Sequence, residues 1–186
     1  IYKSPKNILD FGSGIGLCIP FIKEYFPTAK IYATDTSEKS LNYLSKKHKD
    51  INTLKTNDLH DYKNYFDLII IVGVFHHVIK KERLNLMKEI EILLRNKGKI
   101  IIFEHNPYNF ITKRLVKMCP YDDGVELIKM KELKNIINKS NIRIIDKGFT
   151  LFFPSIFFFL RKFEKYLKLL PLGGQYYISG LKNENR

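Results

Sequence analysis

Between Phe66 and Val72 the chain reads FDLIIIV, so from Leu68 onward both sides of an extended segment there carry aliphatic side chains. A strand of that kind needs cover on both faces, as a central strand of a parallel sheet has. Asn7–Phe11, Lys30–Thr34 and Gly98–Phe103 have the same character, Thr53–Thr56 is a weaker case, and Ile142–Ile145 and Gln175–Leu181 follow near the C-terminus. Helical periodicity separates these runs at Ile15–Tyr25, at Ser37–His48 with Ser37 as N-cap, at Glu82–Arg95 and at Lys129–Lys139. Strand and helix thus alternate, and right-handed crossovers would place helices on both faces of one sheet, a doubly wound α/β fold. A chain of 186 residues supports one such core, so residues 1–186 are expected to form a single domain. Residues 104–128 break the pattern and are expected to be an insertion at a strand's C-terminal end, with Ile111–Met118 forming a turn or two of helix.

The first strand runs into ILDFGSGIG, where Gly12, Gly14 and Gly16 precede a helix. Glycine lacks the Cβ that would obstruct a ligand and tolerates positive φ, so such a loop lets a ligand approach the backbone. The dinucleotide fingerprint would need its third glycine at position 17, which is Leu17, and this disfavours a nicotinamide-dependent oxidoreductase. The spacing is instead GxGxG, led by Asp10. With Asp35 ending the second strand, Asn57-Asp58-Leu59 after the third, FDLIIIVGVFHHV as the fourth and LLRNKGKIIIFEH leading into the fifth, the chain resembles class I S-adenosylmethionine-dependent methyltransferases over nearly its whole length.

That resemblance implies a mostly parallel seven-stranded Rossmann-like sheet with an antiparallel last strand, and S-adenosylmethionine as cofactor. It carries cofactor binding to Asp10, Gly12, Ser13, Gly14 and Gly16, to Asp35 and Thr36 at the ribose, to Asn57, Asp58 and Leu59 at the adenine, and to Gly73 and Val74 after the fourth strand. A carboxylate suits the ribose because it accepts two hydrogen bonds from a vicinal diol. Family members usually carry helices before the first strand; this chain begins almost at that strand, so those helices are expected to be missing.

A sulfonium is already an activated methyl donor, so the protein has chiefly to position the acceptor and, for some acceptors, remove a proton. His77 after the fourth strand and Glu104 and His105 at the fifth are the candidate catalytic residues, the imidazoles as general bases. No metal is expected, because no ligand pair at helical spacing accompanies the histidines. The segments EHNPYNFITKRLVKMCP and PLGGQYY are similar to those of bacterial methyltransferases of glycan pathways, which implies a small-molecule, glycan or lipid-linked acceptor.

The net charge of +13 would suit nucleic acid, but lysine is spread along the whole chain, and GVFHHV lacks the Asn/Asp-Pro-Pro-aromatic motif of many nucleic-acid methyltransferases. A nucleic-acid acceptor is therefore the second reading. The apolar run Leu151–Leu160 is half the roughly 20 residues a membrane span needs. Ser155–Leu170 is predicted to be one amphipathic helix covering the acceptor side, and Phe157 and Phe158, falling in its charged arc, suit a peripheral contact with anionic lipid. Cys18 and Cys119 read as free structural thiols, and the N-terminus lacks a secretory signal, so a cytoplasmic location, peripheral at the membrane, is expected.

Overall fold

A computed structural model of the protein describes residues 4–184. Seven strands form one sheet: β1 (Asn7–Phe11), β2 (Lys30–Thr34), β3 (Asn52–Leu54), β4 (Phe66–Val72), β5 (Leu94–His105), β6 (Ile142–Thr150) and β7 (Gln175–Lys182), in the order β3-β2-β1-β4-β5-β7-β6. Strands β1 to β5 pair in parallel, while β7 runs antiparallel to both β5 and β6. The chain winds outward from β1 to β3 and then returns to β4 on the other side of β1. A crevice opens at this reversal beyond the C-terminal ends of β1 and β4, where open α/β sheets hold their ligands.

The helices are α1 (Ile19–Tyr25), α2 (Glu38–Lys47), α3 (Arg83–Leu93), α4 (Phe110–Met118), α5 (Met130–Asn138) and α6 (Glu164–Leu167). Successive strand residues serve opposite cores, as the period of two demands. Ile8 and Leu68 pack with Ile19, Ile22 and Leu44 of α1 and α2. Leu9, Ile69 and Ile71 pack with Met87, Ile90, Leu133 and Ile137 of α3 and α5. Arg83 is fully buried between α3 and α5: Nε donates to Val78 O, Nη1 to Glu132 Oε1 at 2.8 Å and Nη2 to Glu126 O. Among the described residues no helix is long and apolar enough to cross a membrane.

Several expectations change at their ends, and β5 and β6 also run beyond the expected Gly98–Phe103 and Ile142–Ile145. The first helix starts at Ile19 and not at Ile15, because Gly14 and Gly16 have φ of +51° and +80°, outside the helical range. Strand β3 ends at Leu54, and Thr56 opens a 3-10 segment, Thr56–Tyr62. Helix α3 ends at Leu93, where β5 begins, short of Arg95. Helix α4 is a full nine residues, N-capped by Asn109, whose Oδ1 accepts from Thr112 N at 2.8 Å.

Ser155–Leu170 is not one helix. It is a 3-10 segment, Ser155–Phe163, with Phe157 outside helical dihedrals (φ −107°, ψ 32°), followed by the four residues of α6. None of its residues is buried. An apolar stripe stabilises a helix chiefly by packing on a core, and here it meets none.

Candidate active site

The glycine loop closes over the end of β2. Gly12 N and Ser13 N both donate to Thr34 O at 2.9 Å, and Gly14 N donates to Asp35 Oδ2 at 2.7 Å. The three glycines have different reasons to be glycine. At Gly12, with φ +72°, a Cβ would lie 2.3 Å from Val74 Cγ2, so the loop touches the β4 end. At Gly16 it would meet Leu44 and Ile19 at 3.0 and 3.3 Å, a packing constraint. At Gly14 nothing lies within 4 Å, leaving the backbone open on its cleft side.

The resulting cleft, about 680 Å³, is lined by Asp10, Gly12, Ser13 and Gly14 together with Ser37, Tyr43 and Tyr121. Asp35 stands half-buried at its edge, where Oδ1 accepts from Ser37 N at 2.8 Å. Asp10 is buried, and its Oδ2 has no hydrogen-bond partner. Burial, reinforced by the negative Asp35, pushes the Asp10 carboxyl up to about 7. Thr36 is exposed beside Asp35. Asn57 and Asp58 are exposed on the 3-10 segment, Asp58 lining a separate depression with Glu38 and Asn42, while Leu59 is in the core.

At the other end of the crevice, Glu104 organises the turn after β4. Its carboxylate is completely buried: Oε1 accepts from Val74 N at 3.0 Å and Phe75 N at 2.7 Å, and Oε2 accepts from His76 Nδ1 at 2.7 Å. Glu104 therefore holds the 73–77 turn, with its carboxylate shut away from solvent. Gly73, φ +68°, donates its N–H to Phe103 O. His77 Nε2 reaches Asp122 Oδ1 at 3.3 Å, and the His105 ring lies 5.1 Å from that of His76. Burial, helped by the cationic tendency of His76, lowers the pKa of both His77 and His105. For His76 burial acts downward, but the Glu104 hydrogen bond and the charges of Glu104 and Asp122 carry it net upward.

The family model described as a methyltransferase domain matches residues 9–100, a stretch that contains the glycine loop, Asp35 and the 73–77 turn. Residues 9–100 therefore carry a methyltransferase domain, which with this fold fits the class I S-adenosylmethionine-dependent kind. It is 30% identical over 114 residues to the demethylmenaquinone methyltransferase of Thermotoga maritima, a match covering 60% of this chain and 48% of the relative. The chain thus spans about half the length of that curated relative. Among solved structures, an S-adenosylmethionine-dependent methyltransferase from Archaeoglobus fulgidus aligns with a TM-score of 0.68 at 17% identity, covering 97% of this chain and 88% of the other. One from Mesorhizobium loti gives 0.67 at 18% identity, covering 96% and 91%. At those identities the likeness is one of fold.

The methyltransferase cleft fits the cofactor that family and fold imply. Asp10 offers a buried carboxylate oxygen lacking a partner, which suits a cationic ligand, and Gly14 leaves room for close approach. Asp35 keeps lone pairs beyond the two it uses on Gly14 and Ser37.

A second cavity, about 430 Å³, lies beside the ends of β5 and β7 in the methyltransferase. Its walls are apolar side chains of α4 and of the 151–154 segment, with His105, Asn109, Thr112, Asp122, Arg161 and Gln175 as its charged and polar groups. Tyr121 lines the cofactor cleft and Asp122 the second cavity, so one turn separates the two. The segments EHNPYNFIT and PLGG meet here. Asn106 Nδ2 donates to Pro171 O and Gly173 O, Asn109 Nδ2 to Leu172 O, and Thr112 Oγ1 to Gly174 O. Glu164 accepts from the backbone N–H groups of Leu151, Phe152 and Phe153 and so fixes the opposite wall. Sequence reasoning missed Asp122, Tyr121 and the structural use of Asn106 and Asn109; only the Asn-x-x-Thr cap at Asn109 carried a local signal.

Proposed function

We propose that the protein transfers a methyl group from S-adenosylmethionine to a hydroxyl of a glycan or lipid-linked acceptor seated in the second cavity. The observation carrying this reading is that an apolar cavity with a few polar groups adjoins the cofactor cleft across the single turn Tyr121-Asp122. When bound, the cofactor supplies an electrophilic methyl on a sulfonium. Asp10 balances positive charge, Asp35 and Thr36 hold the ribose, the 73–77 turn borders the reacting region, and Asn57, Asp58 and Leu59 flank the adenine end. His105 is positioned to take the hydroxyl proton, since its half-buried imidazole lines the acceptor cavity.

The cavity mouth supports a lipid-bearing acceptor. Ile111 and Leu115 of α4 and Leu151 line it while remaining exposed, and the adjoining segment exposes Ile156, Phe157, Phe158 and Phe159 beside Arg161, Lys162 and Lys165. Apolar rings among cations suit an anionic bilayer surface. Methyl-labelled cofactor should mark a polyprenol-linked glycan fraction and the His105→Gln variant should lose turnover while keeping S-adenosylhomocysteine affinity. Labelling of nucleic acid in its place refutes the acceptor. Sedimentation with anionic vesicles at low salt should fall when Phe157 and Phe158 both become Ser; no sedimentation of the wild type refutes the membrane contact.

A further inference from the structure

His76 is 3% exposed, yet its Nε2 makes no hydrogen bond. Its Nδ1 is held by the ionisable Glu104, and because a carboxylate only accepts, Nδ1 carries the proton and donates. In the neutral ring Nε2 is then a lone pair. That lone pair points at Asp122 Oδ1, 3.5 Å away, and His77 Nε2 points at the same oxygen from 3.3 Å. Even with the His77 ring proton on Nε2 and shared with Asp122, His76 Nε2 is left facing the Asp122 carboxylate as a bare lone pair, an unfavourable approach that a cation at the centre of the three atoms resolves.

From this geometry we infer that His76 Nε2, His77 Nε2 and Asp122 Oδ1 form a binding site for a divalent transition-metal cation of the zinc class. The spacing agrees: metal–ligand bonds of about 2.0–2.1 Å in a tetrahedral shell put ligands roughly 3.4 Å apart. All three donor atoms lie within 4.8 Å of one another. Glu104 completes the arrangement as the outer carboxylate that fixes the tautomer and orientation of a metal-bound histidine. Two carboxylates, Glu104 fully buried and Asp122 with a side chain 13% exposed, contribute the negative charge that a dication neutralises. Two imidazoles and one carboxylate leave a coordination position free, the pattern of catalytic and not of purely structural zinc. Asp122 also lines the second cavity, so the free position lies at that cavity's edge.

The proposal departs from the expectation of no metal, which rested on the lack of a ligand pair at helical spacing. The pair is instead adjacent, His76 and His77 in one 3-10 turn, and the third ligand comes from the 120–122 turn, so only the tertiary fold assembles it. Binding of the cation does not depend on the acceptor reading; a role for it in methyl transfer rests on that reading.

The competing account is a protonated His76, donating from both nitrogens to Glu104 and Asp122. Cobalt(II) titration of the chelator-treated full chain separates the two and needs no acceptor. A metal site gives about one equivalent bound, with the visible absorption bands of a low-coordinate cobalt(II) centre, and zinc displaces it. His77→Ala and Asp122→Asn, which leave the Glu104–His76 hydrogen bond untouched, should each weaken binding at least tenfold, and Glu104→Gln by about tenfold or more. No stoichiometric cobalt or zinc binding by the folded wild type, or binding unchanged in both ligand variants, overturns the site. Cofactor binding and labelling of the acceptor fraction are read separately, so failure here is distinguishable from failure of the proposed function.

Discussion

His76 Nδ1 and Glu104 Oε2 are 2.7 Å apart in a fully buried hydrogen bond that ties the turn after β4 to the end of β5. The same carboxylate accepts from Val74 N and Phe75 N, so one side chain satisfies three donors, two of them buried and one partly buried. Glu104→Ala would strand all three. At about 1–3 kcal/mol for each unsatisfied buried group, the variant should lose several kcal/mol of stability. Denaturant unfolding should show a lower midpoint; an unchanged midpoint would mean the turn is held by other contacts.

Asp10 sets a pH dependence. Its folded-state carboxyl titrates at about 7, against 3.8 ordinarily, so between those values the folded chain holds a proton that the unfolded chain has lost. The contribution of Asp10 to the stability of the ligand-free protein should therefore fall as pH rises from about 4 to 7, with the full penalty present above 7. At roughly 1.4 kcal/mol per pKa unit the effect is measurable, and Asp10→Asn should melt higher than wild type at pH 8 but not at pH 4. Thermal melts of both across that range check it. A cationic ligand favours the ionised form, so S-adenosylmethionine should bind more tightly at pH 8 than at pH 6.

Gly12→Ala and Gly14→Ala should separate folding from binding. The first places a methyl 2.3 Å from Val74 Cγ2 at φ +72°, and its melting temperature should fall. The second meets nothing within 4 Å, so beyond a backbone cost of about 1 kcal/mol it should act mainly on the ligand. Calorimetry with S-adenosylhomocysteine should find Gly14→Ala weakened by more than its stability loss accounts for.

Asp35→Ala removes the acceptor of both Gly14 N and Ser37 N, so it loosens the glycine loop as well as the ribose site. Charged hydrogen bonds worth about 1.5–3 kcal/mol each predict at least a tenfold loss of cofactor affinity in a folded variant. Retained affinity would place the ribose elsewhere.

Arg83→Met leaves Glu132 without its buried partner. Breaking a fully buried pair from one side costs about 3–5 kcal/mol; with the Glu132 side chain 27% exposed the cost is smaller, but the Val78 and Glu126 carbonyls lose a donor as well. A drop in the denaturant midpoint is expected. A double change, Arg83→Met with Glu132→Leu, should recover part of it.

The residues by themselves determined the alternation of buried strands and helices, the glycine loop and Asp35 at the end of β2, because each is written in a contiguous stretch with a period or a φ requirement of its own. The family resemblance followed from the same local features. Tertiary structure decided the rest. Glu104 reads as a candidate catalytic residue beside His105, yet alternation along β5 turns it into the protein and leaves His105 on the cavity wall. The stripe at 155–170 had helical spacing, but spacing yields a helix only where a core receives the stripe, and the fold offers none there. Asp122 carried no signal at all: it joins His76 and His77 only because the excursion after β5 folds back over the sheet's C-terminal edge, and a contact of that kind depends on the path of the chain and not on any local pattern of residues.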